Sequence, residues 1–127
     1  MDKDSSILVA DDNELMSNLI RMMLERNGIK NITEVRDGMS ALNTVKAQKI
    51  DLIIADWHMD GLSGIELLQK VRADDKIGKT PFIIVSVEGL DVSIDTAFKF
   101  GVSDFLSKPF TMDSLLGKIT KVMEKSS

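Results

Sequence analysis

The stretch Asp51-Leu52-Ile53-Ile54-Ala55-Asp56 decides how the chain is read. From Leu52 to Ala55 every residue is apolar, the pattern of a strand whose two faces are both covered, as in the middle of a parallel sheet. Asp51 to Ala55 is therefore assigned to a central strand, and Asp56 falls just beyond it. On the N-terminal side, Ile7 to Ala10 makes a first apolar run. Leu15, Met16, Leu19, Ile20, Met23 and Leu24 then recur at helical spacing, and Gly28 closes that helix. Ile32 to Val35 gives a weaker strand, and Asp37 is placed to cap a helix carrying Met39, Leu42 and Val45. On the C-terminal side, Ile65, Leu68 and Val71 share a helical stripe. Pro81 opens the run Phe82 to Val85, a position where a strand tolerates proline, and Val92 to Phe100 reads as a helix ended by Gly101. Phe105-Leu106 makes a short last strand. After Thr111 as cap, Leu115, Leu116, Ile119, Val122 and Met123 mark an amphipathic helix.

Five strand-helix units predict an α/β fold, a five-stranded parallel sheet doubly wound as (βα)5 with right-handed crossovers. In such sheets ligand groups stand just beyond the carboxyl ends of the strands. The 127 residues suit one domain spanning 1–127, with short polar tails at 1–5 and 125–127. A composition of 43% hydrophobic and 28% charged residues fits a globular chain and excludes a disordered one. The net charge of -4 argues against direct nucleic-acid binding, which needs a basic face. With no cysteine, thiol catalysis and thiolate metal sites are excluded. The polar start lacks the apolar core of a signal peptide, and no apolar run approaches the roughly 20 residues of a membrane span. No membrane partner and a cytoplasmic location are expected.

The positions after the strands collect polar residues: Asp11 and Asp12 after the first, Asp56 after the third, Ser86 at the fourth and Lys108-Pro109 after the fifth. Each alone suits a loop or a helix cap. Strands one and three are neighbours in a doubly wound order of this kind, so three carboxylates meet at one rim. There, a pair of like charges at about 4 Å costs about 4 kcal/mol at an effective dielectric near 20. Such crowding calls for a proton or a cation, and an all-oxygen open site suits magnesium better than zinc. A carboxylate nucleophile beside magnesium and a lysine is arranged for phosphoryl transfer. Asp56, at the end of the most apolar strand, is the candidate nucleophile; Asp11 and Asp12 are the metal grip, and Ser86 can bond a phosphoryl oxygen.

Leu8-Val9-Ala10-Asp11-Asp12, Asp56-Trp57-His58-Met59, Gly64, Ser86 and Lys108-Pro109-Phe110, taken together, closely resemble the receiver domains of response regulators, in particular the stand-alone CheY-like type. The resemblance runs from Ile7 to about Glu124. It implies a flavodoxin-like strand order 2-1-3-4-5, an order carried over from that family and not read from the residues. It further implies that Asp56 is the phosphoacceptor. Asp12 and Asp56 would ligate Mg2+ with the His58 backbone carbonyl, Asp11 acting through water, and Mn2+ able to substitute. Lys108 would pair with the phosphoryl group next to a cis bond to Pro109. Ser86 and Phe105 would form a switch that alters the surface of helix four, strand five and helix five. Val87, Glu88 and Trp57 are tuning positions beside the acceptor.

The implied partners are a sensor histidine kinase, CheA-like in a chemotaxis setting, and a downstream target such as a flagellar motor switch. A monomer is expected. The protein would be a phosphorylation-dependent switch, catalysing only its own phosphorylation and dephosphorylation. Several residues depart from the family's usual pattern: Asp60 for proline, Ser63 for aspartate before Gly64, Phe105 without a phenol, and Val87 for a smaller residue. The β-branched Val87 is expected to narrow the path to Asp56 and slow small phosphodonors.

Other readings were set against this one. A haloacid-dehalogenase-like phosphatase would use Asp11 as nucleophile, but the third acid then lies on the wrong strand. A flavodoxin-like electron carrier needs a glycine- and hydroxyl-rich loop after strand one, where two aspartates would repel phosphate. A receiver-like module that is never phosphorylated is disfavoured by the intact acid, hydroxyl and lysine set. A fragment of a larger regulator or a phosphorelay shuttle fits the same residues as a stand-alone switch. Gly78-Lys79-Thr80 imitates the end of a phosphate-binding loop, yet Ala73 replaces the leading glycine and a strand follows. Residues 56–61 lack the ligand spacing of a calcium loop. His58, the only histidine, is expected to matter through its backbone, and methionines such as Met22 and Met23 to fill the core.

Overall fold

The computed structural model describes residues 3–87 and 94–126. In chain order the elements are β1 (Ser6–Ala10), α1 (Glu14–Arg26), β2 (Asn31–Val35), α2 (Gly38–Ala47), β3 (Leu52–Asp56), α3 (Gly64–Ala73), β4 (Phe82–Val87), α4 (Ile94–Lys99), β5 (Asp104–Lys108) and α5 (Met112–Ser126). All strand pairs are parallel, and the sheet order is β2-β1-β3-β4-β5.

Alternate residues of each inner strand enter different cores. Leu8, Ile53, Ala55, Phe82 and Ile84 pack with Ala41, Leu42 and Val45 of α2, Leu67, Leu68 and Val71 of α3, and Ala97 of α4. Ile7, Val9, Leu52, Ile54, Ile83 and Val85 pack on the other face with Ile20 and Leu24 of α1 and Leu115, Ile119 and Val122 of α5. A strand buried on both sides has no polar face to offer, which is why the apolar residues run consecutively.

Caps fix the helices. Asp37 accepts from the Ser40 amide at 2.7 Å, and Thr111 Oγ1 accepts from the Ser114 amide at 3.0 Å. Ser63 and Glu66 form a reciprocal capping box at the start of α3, so the serine before Gly64 has a structural task. The loop decoy Gly78-Lys79-Thr80 is an anchor: Arg72 donates to the carbonyls of Gly78 and Thr80 at 3.0 and 2.6 Å, and to Gly101 at 2.9 Å.

Three expectations need correction, and a fourth falls partly outside the described residues. β3 runs from Leu52 to Asp56, one residue later at both ends than expected, and the Asp51 carboxylate accepts from the Ser6 amide at 2.8 Å. β4 and β5 run longer than the apolar residues alone suggested, ending at Val87 and Lys108. The described part of α4 starts at Ile94, and the expected start at Val92 lies outside the described residues. Leu15 is 82% exposed and Leu19, Met22 and Met39 are exposed too, so Met22 does not fill the core. The apolar stripe of α1 is wider than the face it buries, since Ser17 takes a buried place by donating to Glu34 at 2.6 Å.

Candidate functional site

The carboxyl ends of β1, β3, β4 and β5 bring the candidate residues to one rim. Asp11, just past β1, is buried and accepts from the Asn13 amide at 2.8 Å, while its own amide bonds Val35 at 3.1 Å. Asn13 in turn caps α1 by accepting from Met16 N at 3.1 Å. The sequence reading did not single out Asn13, although an asparagine just ahead of a helical stripe is a cap signal. Asp12 is exposed and Asp56, the last residue of β3, is half-buried.

One carboxylate oxygen from each of Asp11, Asp12 and Asp56 lies within 4.8 Å of the others. Lys108, the last residue of β5, places its Nζ 3.3 Å from Asp56 Oδ2 and 3.4 Å from Asp11 Oδ2. Burial pushes the Asp56 carboxyl above its ordinary value, with the Asp11 charge acting in the same direction and Lys108 opposing both. A half-buried carboxylate beside another acid, as at Asp56, gains from a bound cation. The three converging oxygens, with two of the acids reachable from solvent, fit a hard divalent ion that keeps part of its water shell.

Ser86 is fully buried on β4, and its Oγ has no hydrogen-bond partner among the described residues. Phe105 on β5 is buried, and its ring meets Trp57 edge-on with centroids 6.4 Å apart. Val87 pairs with Lys108 in the β4–β5 register and is 45% exposed. His58 is exposed. The Lys108–Pro109 peptide is cis. Glu88 lies outside the described residues.

The loop from Trp57 to Ser63 is pinned at both ends: the Trp57 amide bonds Val85 O at 2.9 Å, and the Gly64 amide bonds Trp57 O at 2.8 Å. Gly64 explains itself here. A Cβ on it would press into the Asp56 carbonyl oxygen and stand 3.0 Å from Trp57 Cα, so only glycine lets α3 start against the backbone at the end of β3.

The sequence profile described as "Response regulator receiver domain" matches residues 7–120. The chain belongs to that family. The receiver domain is 33% identical over 125 residues to the chemotaxis protein CheY-3 of Vibrio cholerae, covering 98% of this chain and 96% of that protein. It superposes on the receiver domain of a Francisella response regulator with a TM-score of 0.87 at 32% identity, covering 98% of this chain and all of the other. It also matches the receiver domain of a Pseudomonas aeruginosa sensor histidine kinase, with a TM-score of 0.86 at 26% identity over 95% of this chain and 98% of that one. That Pseudomonas structure holds a magnesium ion coordinated in its active-site cleft. Receiver domains are signalling switches that work with histidine kinases and downstream targets. No described helix of this receiver domain is long and apolar enough to cross a membrane.

Proposed function

We propose that this receiver domain accepts a phosphoryl group on Asp56 in a magnesium-dependent reaction. The convergence of Asp11, Asp12 and Asp56 around one point, with the Lys108 ammonium at 3.3 Å from Asp56, carries the reading. Asp12 and Asp56 would hold Mg2+ together with the backbone carbonyl of His58, Asp11 acting through water, and Mn2+ would serve in its place. When bound, the ion neutralises charge on the phosphoryl oxygens and on the crowded acids.

The donor is the phosphohistidine of a sensor histidine kinase. An Asp56 carboxylate oxygen attacks phosphorus, the phosphorus–nitrogen bond breaks, and the imidazole leaves as it takes up a proton. Lys108 pairs with a phosphoryl oxygen, and Ser86 Oγ, buried and otherwise unpartnered among the described residues, donates to another. Water later cleaves the acyl phosphate and regenerates the Asp56 carboxylate. Val87, Glu88 and Trp57 would tune the rate of this reaction. The reaction consumes no external substrate beyond the donor, so the protein acts as a switch.

The switch acts through Ser86 and Phe105 on the α4-β5-α5 face, where Ile94, Phe98 and Phe100 are exposed apolar residues available to a target. A role as a single-domain, monomeric, cytoplasmic chemotaxis regulator that signals from a CheA-like kinase to a flagellar motor switch is favoured by the near full-length match to a chemotaxis protein. A phosphorelay shuttle or a receiver within a larger regulator uses the same site. Incubation with a phosphorylated histidine kinase and Mg2+, followed by intact mass spectrometry, tests the reading. One base-labile phosphoryl adduct is expected, absent without Mg2+ and absent in Asp56→Asn. An adduct that survives in Asp56→Asn contradicts it.

A further inference from the structure

Gly38 opens α2 directly after the cap Asp37, and it is buried. A Cβ built on Gly38 would press against the carbonyl oxygen of Leu62, with the Leu62 Cβ at 2.5 Å and the Leu62 carbonyl carbon at 3.0 Å. Real side chains do not reach such distances, and two of the three atoms are backbone, so no rotamer change relieves the contact. Gly38 therefore lets the main chain at Leu62 lie flat on the first turn of α2.

Leu62 belongs to the loop that leaves Asp56 and carries His58. Inside that loop, Met59 is buried in the core, Leu62 packs partly against it, and Gly61 turns the chain with φ +72. The first turn of α2 is the firmer partner: Asp37 accepts from both the amide and the hydroxyl of Ser40, and Ala41 and Leu42 are buried. An added methyl at position 38 would displace the loop before it displaced the helix.

The geometry points to Gly38 as a positioning residue for the magnesium site, acting through Leu62 on the loop that presents the His58 carbonyl. This rests on the proposed metal role of that carbonyl and of the three acids. Supports of metal ligands commonly change affinity by 10- to 100-fold when altered.

The test is Mg2+ titration followed by Trp57 fluorescence and by calorimetry, with urea unfolding of each variant in parallel. Gly38→Ala is expected to weaken Mg2+ binding by about 10-fold or more. Gly117→Ala on α5, where a Cβ meets nothing within 4 Å, is expected to leave the affinity unchanged. Leu62→Ala, which loosens the same contact without adding an atom, is expected to weaken binding by a smaller factor and serves if Gly38→Ala fails to fold. Wild-type affinity in Gly38→Ala, or in Leu62→Ala where the first is unfolded, overturns the inference and leaves the phosphoacceptor reading intact. A wild-type protein that takes up no Mg2+ overturns that reading, and this inference with it.

Discussion

The indole of Trp57, the residue after Asp56, meets the ring of Phe105 edge-on at 6.4 Å and an interplanar angle of 64°. The end of β3 and the middle of β5 thus touch through two aromatic rings across the intervening β4. Phe105→Ala removes that contact and a buried side chain from the α2–α3–α4 core. It should destabilise the protein by about 3 kcal/mol in urea unfolding and shift Trp57 emission to the red. A variant with wild-type stability and an unshifted spectrum would show that the contact carries no weight.

Lys108 and a bound Mg2+ would act on the same acids with charges of the same sign. Lys108→Met should therefore tighten Mg2+ binding by roughly 5- to 30-fold, about 1–2 kcal/mol for a unit charge acting on a divalent ion in a hydrated site. Phosphoryl uptake should nevertheless fall, because a cation is lost from the transferring group. Calorimetry and donor kinetics on one preparation give both signs, and weaker Mg2+ binding in the variant would contradict this assignment of charges.

Val87 stands opposite Lys108 at the rim and is partly exposed. Val87→Ala should raise the rate of labelling by acetyl phosphate several-fold, by widening the approach to Asp56, with little change in Mg2+ affinity. Rapid wild-type labelling that the alanine variant does not accelerate would remove Val87 from the tuning set.

Glu34 joins β2 to α1. Burial raises its carboxyl, but bonds from the Ser17 hydroxyl and Arg21, with the Arg21 and Arg36 charges, outweigh burial and hold it below the ordinary glutamate value. A carboxyl lowered by folding contributes stability above its unfolded pKa, and that contribution is lost as pH falls through its folded value. Stability measured by urea unfolding should therefore drop on acidification below about pH 4–5 more steeply in wild type than in Glu34→Gln. Parallel curves for the two proteins would exclude Glu34 as a source of the acid sensitivity.

Much of this architecture was legible because strands buried on both faces leave unbroken apolar runs, as at Leu52 to Ala55, and because Asp37 and Thr111 mark helix starts with short side-chain acceptors. The acids also stood out, since Asp11, Asp12 and Asp56 each follow a strand. What could not be read was local and three-dimensional. The stripe on α1 named Leu15 as readily as Ile20, because periodicity marks a face without saying how much of it a neighbour covers. Ser17 is buried on α1 only because Glu34 of β2 supplies its partner, a pairing that no spacing within α1 reveals. The seat of Leu62 on Gly38 depends on two segments meeting across some two dozen residues of chain, and no spacing rule announces it.

Of the three clustered acids, Asp56 alone is proposed to take the phosphoryl group. The most direct test is treatment with phosphoramidate and Mg2+, whose phosphorus–nitrogen bond matches that of phosphohistidine, then borohydride reduction of any acyl phosphate and peptide sequencing by mass spectrometry. Reduction of an aspartyl phosphate to homoserine is expected at position 56 alone, and none when Mg2+ is chelated. Homoserine at position 11 or 12, or none under any condition, would contradict it.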